Sequence, residues 1–375
     1  MQALHNGLIF DGSTFGSNRA VLINNDLIVD IIPESEIPSS AQPFNLNGHY
    51  LVPSFIDLQL YGAHGKLFSQ DLSFESLKAT DEYCISGGCT RFLITMATNT
   101  IEKFLKGIEV IKDFQRENKN GLLGLHLEGP YINPVKRGAH IESCVKQPTI
   151  AEIKLLLEKS EGVLKMMTLA PEQCNQEAIE LLLDNNVLVS AGHSNATYQQ
   201  ATDSFNKGVT AVTHLFNAMS PLQSREPGMV GAVYDHATVN SSIVCDGIHT
   251  DFTAVRISKK IMKERLFLIT DAVPESTEGE YKHIFNTDRY TLPDGTLSGS
   301  ALTMIKAVNN CIDKVGVPFE EALRMASLYP ARVAKLDDRF GKIEKNYKAD
   351  LLVLSKERGV KTVFRDGRIV FSNPA

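Results

Sequence analysis

The chain has 375 residues, of which 43% are hydrophobic and 22% charged, with a formal net charge of −6. That length holds one large domain plus a smaller one, and the composition is that of a soluble globular protein. There is no long basic or acidic block and no apolar run of membrane-spanning length, which excludes nucleic acid and a bilayer as expected partners.

The start, MQALHNGLIFDGS, lacks the basic stretch and apolar core of a secretory signal. The first fifty residues read as β structure. IFDGSTFG carries an Asp-Gly turn, and VLINNDLIVDII is two apolar runs around Asn-Asn-Asp.

From residue 51 the pattern changes. Eight short apolar runs follow: LVPSFIDLQL, TRFLITMAT, LLGLHLEG, LKMMTLAP, NVLVSAGH, VTAVTHLF, SSIVCDGIH and LFLITDA. Segments of helical period lie between most of them, such as TIAEIKLLLEKS and NQEAIELLLDNN. RISKKIMKER, 256–265, is the densest basic stretch, and its apolar spacing marks a solvated helix face. EGEYKHIFNTDRYTLPDGTLSGS then reads as a turn-rich excursion, followed by two helical segments. The end returns to β structure, with ADLLVL and the hairpin signal of VKTVFRDGRIVF.

Eight strands with helical crossovers are the number that closes a barrel. The expected fold is α/β: a (β/α)8 TIM-like barrel over 51–337, with a small β-sandwich domain built from 1–50 and 338–375. An open doubly wound sheet is the structural alternative. No G-x-G-x-x-G follows the first strand, so a dinucleotide crevice has no support. The six cysteines, Cys84, Cys89, Cys144, Cys174, Cys245 and Cys311, form no C-x-x-C pair, which fits reduced thiols in the cytoplasm.

Polar residues gather at the C-terminal ends of the strands: Gln59, Glu128, His193, His214, His249 and Asp271. In a barrel that end carries the active site. Two imidazoles on adjacent strands, His193 and His214, with the carboxylate of Glu128, match a zinc set that leaves one position open. Each histidine alone is more often a satisfied core or surface residue. Asp271, on the strand beside the first, can reach over the barrel mouth, and its plainer role is to cap the next element. His126 shares the face of Glu128 and is assigned no ligand role. Arg225, in SREPG, suits an anionic group held bidentately.

The first strand is unusual. In FIDLQLYG, 55–62, Asp57, Gln59 and Tyr61 share one face. Many metal hydrolases carry Asp-x-His-x-His there, and Gln59 and Tyr61 stand where both histidines would be.

The motifs LGLHLEGPY, KRGAH, TLAPE, SAGHSNATY, THLFNAM, REPG, DGIH, TDA, GTLSGSALTM and NYKADLLVL occur in that order. Together they resemble the N-acetylglucosamine-6-phosphate deacetylase family of the amidohydrolase superfamily, across nearly the whole chain. The resemblance implies hydrolysis of the acetamide of N-acetyl-D-glucosamine 6-phosphate to D-glucosamine 6-phosphate and acetate, in amino-sugar catabolism and recycling. It implies Glu128, His193 and His214 as ligands of one divalent ion per chain, zinc by preference. Gln59 would act on that ion through a water, because the second metal held by the first-strand histidines of some relatives is absent. Asp271 would be the catalytic acid/base, and His140 would steady the oxyanion. Ala139, His140, Asn217 and Ala218 would touch substrate, as would Leu297, Ser298 and Gly299. Arg225 and His249 would recognise phosphate. A homodimer or homotetramer is implied.

Two departures stand out. Ser54 replaces the usual glycine, and the segment after Asp271 is short and lacks a small-residue run. The rivals are a related enzyme acting on another amide and a non-catalytic scaffold. Retention of Glu128, His193, His214 and Asp271 argues against the scaffold.

Overall fold

The computed structural model describes residues 1–117 and 121–373. The chain divides into two compact units, Met1–Asp57 with Glu82–Arg91 and Thr303–Ala375, and Leu58–Asp81 with Phe92–Leu302.

The first unit holds two sheets. One is four-stranded, in the order Leu27–Pro33, Arg19–Asn24, Gln2–His5, Gln42–Asn45. The other is six-stranded and mixes both ends of the chain: Arg368–Ser372, Val360–Arg365, Leu351–Leu354, Tyr50–Pro53, Leu8–Phe10, Phe15–Gly16. Its middle pair, Leu351–Leu354 against Tyr50–Pro53, is antiparallel. The Asp-Gly signal is a true hairpin: Arg365 faces Arg368, and Asp366 and Gly367 have φ of 48° and 71°. Two positive φ values in succession are what a two-residue turn of that twist demands. Leu4, Ile9, Val21, Leu51, Leu351, Val353 and Phe364 form the core of this unit.

The eight-stranded sheet comprises β1 (Phe55–Leu60), β2 (Cys89–Ala97), β3 (Leu122–Glu128), β4 (Leu164–Leu169), β5 (Leu188–Ala191), β6 (Ala211–Val212), β7 (Asn240–Ile243) and β8 (Leu266–Leu268). Neighbours from β2 to β8 pair in parallel. The two ends also meet. Asp271 N–H donates to Gln59 O and Tyr61 N–H donates to Ala272 O, each at 2.9 Å. The expected barrel therefore closes at its C-terminal end, where polar side chains gather.

Helices Ile101–Glu117, Ile150–Ser160, Gln176–Asp184, Tyr198–Asn206, Gly228–Asp235 and Phe252–Met262 fill the connections from β2 to β8. Ile101–Glu117 buries Ile101, Phe104, Ile108, Ile111 and Phe114, a stripe at helical spacing. Thr149 with Glu152 and Thr197 with Gln200 form capping boxes that start two of these helices.

Two local expectations change. LVPSFIDLQL is not one strand: it breaks at Ser54, so Tyr50–Pro53 joins the terminal sheet and Phe55–Leu60 opens the barrel. The excursion after Asp271 is an antiparallel sheet of β9 (Ile284–Asn286), β10 (Arg289–Thr291) and β11 (Leu297–Ser300). All three residues of β9 are exposed, so no alternation marked it in the sequence.

Within the first unit, Asp350 is a buried hub. It accepts from Arg91 Nε at 2.7 Å, Thr90 Oγ1 at 2.8 Å and Asp366 N–H at 2.8 Å. Arg91 also reaches Asp366 at 2.8 Å. Removing one partner of a buried pair strands the other charge. Arg91→Met is therefore expected to cost about 3 kcal/mol in urea unfolding. A loss below about 1 kcal/mol, the value of an exposed pair, would show that this pair carries no such weight.

Candidate active site

Glu128 ends β3 and is 2% exposed. A carboxylate so far from water persists only with charge or hydrogen-bond partners. Tyr61 Oη donates to Oε2 at 2.5 Å, and Gln59 Nε2 donates to Oε1 at 2.9 Å. His193 and His214 bring Nε2 to 3.3 and 3.0 Å of Oε1, and His140 brings Nε2 to 3.1 Å of Oε2. Burial alone would push the Glu128 carboxyl up, but the His193 and His140 rings hold it well below the usual carboxylate range.

The backbone bends to make this meeting possible. His193 lies two residues past β5, His214 two past β6 and Asp271 three past β8. Their φ values are 48°, 37° and 54°. Residues other than glycine seldom adopt the left-handed region, and each such turn costs on the order of 1–3 kcal/mol. Here it swings each side chain off its strand and into the barrel mouth. Phe216 and Ala218 continue the same contorted loop, at 78° and 51°.

Hydrogen bonds assign the ring protons. His193 Nδ1 donates to the Lys136 carbonyl at 2.9 Å, so Nε2 is the ring nitrogen that faces the centre. The Thr98 N–H points at His140 Nδ1 at 3.3 Å, so that nitrogen accepts and the ring proton sits on Nε2, toward Glu128. Burial lowers His140 to about 4 and lowers His214 as well, so both rings are neutral at pH 7.

These features fit a metal ion. Glu128 Oε1, His193 Nε2 and His214 Nε2 are separated by 3.0, 3.2 and 3.3 Å. Ligands about 2.0–2.1 Å from a tetrahedral zinc stand about 3.3 Å apart, nearly the same triangle. Glu128, His140 and His193 also lie close enough to hold an ion by proximity alone. The proton on His140 Nε2 favours His214 as the third donor.

Asp271 belongs to the same cluster. Its Oδ1 accepts from Gln59 Nε2 at 2.8 Å and lies 3.2 Å from Tyr61 Oη. Gln59 and Tyr61 thus bridge two carboxylates with donors, where a histidine pair would offer lone pairs. Burial, then the Asp271 and Glu128 charges, keeps the Tyr61 phenol protonated well above its ordinary range.

A cavity of about 250 Å³, room for one small molecule, opens on this cluster. Glu128, His140, His193, His214 and Asp271 line it. So do Ala139, Asn217, Ala218, His249, Leu297, Ser298 and Gly299. His249 lies six residues past β7 rather than at its end, and Asp246 Oδ2 fixes its Nδ1 at 2.6 Å. Two expected residues are not among the described lining residues. Gln59 is buried behind its hydrogen bonds, and Arg225 is exposed in the 221–226 stretch.

Other functional residues escaped the sequence reading. Thr98, whose Oγ1 lies 2.7 Å from His140 Nδ1, follows β2 directly and was visible as a polar strand end. Tyr281 and His283 also line the cavity, but they sit in the segment read as turns and gave no signal.

The chain belongs to the amidohydrolase family, whose model matches residues 50–370. Family and donor set together make the Glu128 cluster a divalent-metal site. Residues 1–51 match a NagA composite domain. The chain is 37% identical over 364 residues to an N-acetylglucosamine-6-phosphate deacetylase from Haemophilus influenzae, covering 94% of this chain and 95% of that one. It superposes on the crystal structure of an N-acetylglucosamine-6-phosphate deacetylase from Pasteurella multocida with a TM-score of 0.95 and 32% identity, covering 99% and 100%. A mutant deacetylase from Mycobacterium smegmatis, in complex with N-acetyl-D-glucosamine-6-phosphate, matches at a TM-score of 0.91 and 26% identity over 99% of both chains. No helix among the described residues is long and apolar enough to cross a membrane.

Tyr61 supplies a donor to a carboxylate that is only 2% exposed. Tyr61→Phe keeps the ring and removes that donor, so metal-free protein should lose about 2 kcal/mol in denaturant unfolding. A loss under about 0.5 kcal/mol would mean that the remaining donors satisfy Glu128 without it.

Proposed function

We propose that this chain hydrolyses the acetamide of N-acetyl-D-glucosamine 6-phosphate, giving D-glucosamine 6-phosphate and acetate. The observation that carries the proposal is the triangle of Glu128, His193 and His214 donor atoms with Asp271 bridged beside it, in a chain whose relatives are deacetylases.

Glu128, His193 and His214 would hold one divalent ion, zinc by the chemistry of two imidazoles and a carboxylate. When bound, such an ion polarises a carbonyl and acidifies water. Gln59, whose Nε2 is committed to Glu128 and Asp271, would act on that ion through a water. Asp271 removes a proton as water adds to the amide carbon. It then delivers a proton to the nitrogen as the C–N bond breaks, so that acetate and the free amine depart. His140 donates from Nε2 to the carbonyl oxygen as charge develops there.

The sugar lies against Ala139, Asn217, Ala218, Leu297, Ser298 and Gly299. His249, oriented by Asp246, takes the phosphate with Arg225. A homodimer or homotetramer is the proposed assembly, as the family resemblance implies. The domain boundaries proposed are 51–337 for the barrel and 1–50 with 338–375 for the β domain. The cytoplasm is the proposed location, since all six cysteines are free.

Purified enzyme given N-acetylglucosamine 6-phosphate should release equimolar acetate and amine; no release would overturn the proposal. Paired variants separate the roles. Asp271→Asn should lower kcat by about 10²–10⁴-fold while keeping its metal by elemental analysis. His193→Ala should lose both, because a three-ligand site cannot spare one member. An Asp271→Asn protein stripped of metal would make Asp271 a ligand instead.

Arg225→Ala should lower kcat/KM for the phosphorylated substrate by about 2–3 kcal/mol and spare unphosphorylated N-acetylglucosamine. Equal losses on both would remove Arg225 from the phosphate site.

A further inference from the structure

The cavity has two kinds of wall. Asn217, His249, His283 and Ser298 offer hydrogen bonds, as a sugar or phosphate requires. Tyr61, Leu67, Ala97, Val273 and Tyr281 form one buried apolar cluster, and all five face the same cavity. We infer that this cluster is the acyl pocket, and that it limits the amide substrate to a two-carbon acyl group. The inference rests on the deacetylase reading and adds a subsite to it.

The placement follows from the reaction's geometry. The carbonyl oxygen needs the metal site and His140, and the amide nitrogen needs Asp271. The remaining substituent on the carbonyl carbon is a methyl group, which makes no hydrogen bond and gains by leaving water. Each apolar residue is tied to a group that acts on the amide. Tyr61 bonds Glu128, and Ala97 is the register partner of Glu128 across β2 and β3. Val273 follows Asp271 by two residues. Tyr281 Oη donates to the Thr98 carbonyl at 2.7 Å, next to the bond between Thr98 and His140.

The walls cannot retreat easily. Val273 N–H is bonded to the Ser300 carbonyl at 3.1 Å, and a side chain at Gly299 would meet Val273 Cγ1 at 2.5 Å. Leu67 pairs with Gly62 in a short antiparallel ladder. Val273 and Tyr281 come from the short segment after Asp271. That segment therefore does more than connect: it closes the acyl side of the cavity.

The test compares kcat/KM for N-acetyl, N-propionyl and N-butyryl glucosamine 6-phosphate, reading the common amine product. One methylene beyond the fit of an apolar pocket is worth about 10–200-fold. The wild-type enzyme should therefore prefer acetyl over butyryl by at least about 100-fold. Leu67→Ala and Val273→Ala should each narrow that ratio at least about tenfold, while Ala97→Val should widen it. A ratio measured on one sample cancels the fraction of folded enzyme, so a destabilised variant remains informative. Acetate release with no discrimination by acyl length, or ratios unmoved in all three variants, would overturn the acyl pocket alone. Absence of amine from every acyl derivative would overturn the deacetylase reading, and the pocket with it.

Discussion

The centre of this molecule depends on keeping one carboxylate ionised out of water. Glu128 sits at the end of a barrel strand with almost no exposure, and the desolvation it suffers must be offset locally. Three imidazoles, an amide and a phenol converge on its two oxygens. The imidazoles come from three different loops, and the amide and phenol from the first barrel strand and the residue after it. A divalent cation at the same place would complete the charge balance that the neutral His140 and His214 leave open.

The backbone around it is strained in the same cause. His193, His214 and Asp271 all take left-handed conformations that their residue types disfavour. A regular strand would send these side chains up or down the barrel wall. The turn at each strand end aims them inward instead, and a closed ring of parallel strands holds the three turns in register. Tyr61 and Gln59 extend the logic. At positions where a histidine pair would bind a further ion, they present hydrogens, which hold the Glu128 and Asp271 carboxylates side by side.

Two buried carboxylates thus serve different ends on the same physical terms. Asp350 in the first unit is matched by Arg91, a permanent cation, and its role is to hold strands together. Glu128 is matched in part by His140 and His214, both neutral at pH 7, which is a poor choice for stability and a good one for a site that must accept a cation.

Much of this was legible in the sequence, and the reason is periodicity. Eight apolar runs with helical intervals specify a barrel, and hydrophobic runs that end in Glu128, His193, His214 and Asp271 place polar groups on one rim, because strand direction is shared by all eight. The terminal hairpin was equally plain, since Asp366-Gly367 can adopt the two positive φ values the turn needs. What tertiary structure alone decided were the relations that carry no period. Nothing in the order of residues says that His140 carries its proton on Nε2, that Tyr61 spans two carboxylates, or that Tyr281 reaches the Thr98 carbonyl. Strand β9 was invisible because its three residues are all exposed and do not alternate, and Arg225 was expected at a cavity it does not line. Local pattern reports which face a residue takes. Distances between loops 100 or more residues apart are set by closure of the ring, as in the 212-residue separation bridged by Gln59 and Asp271.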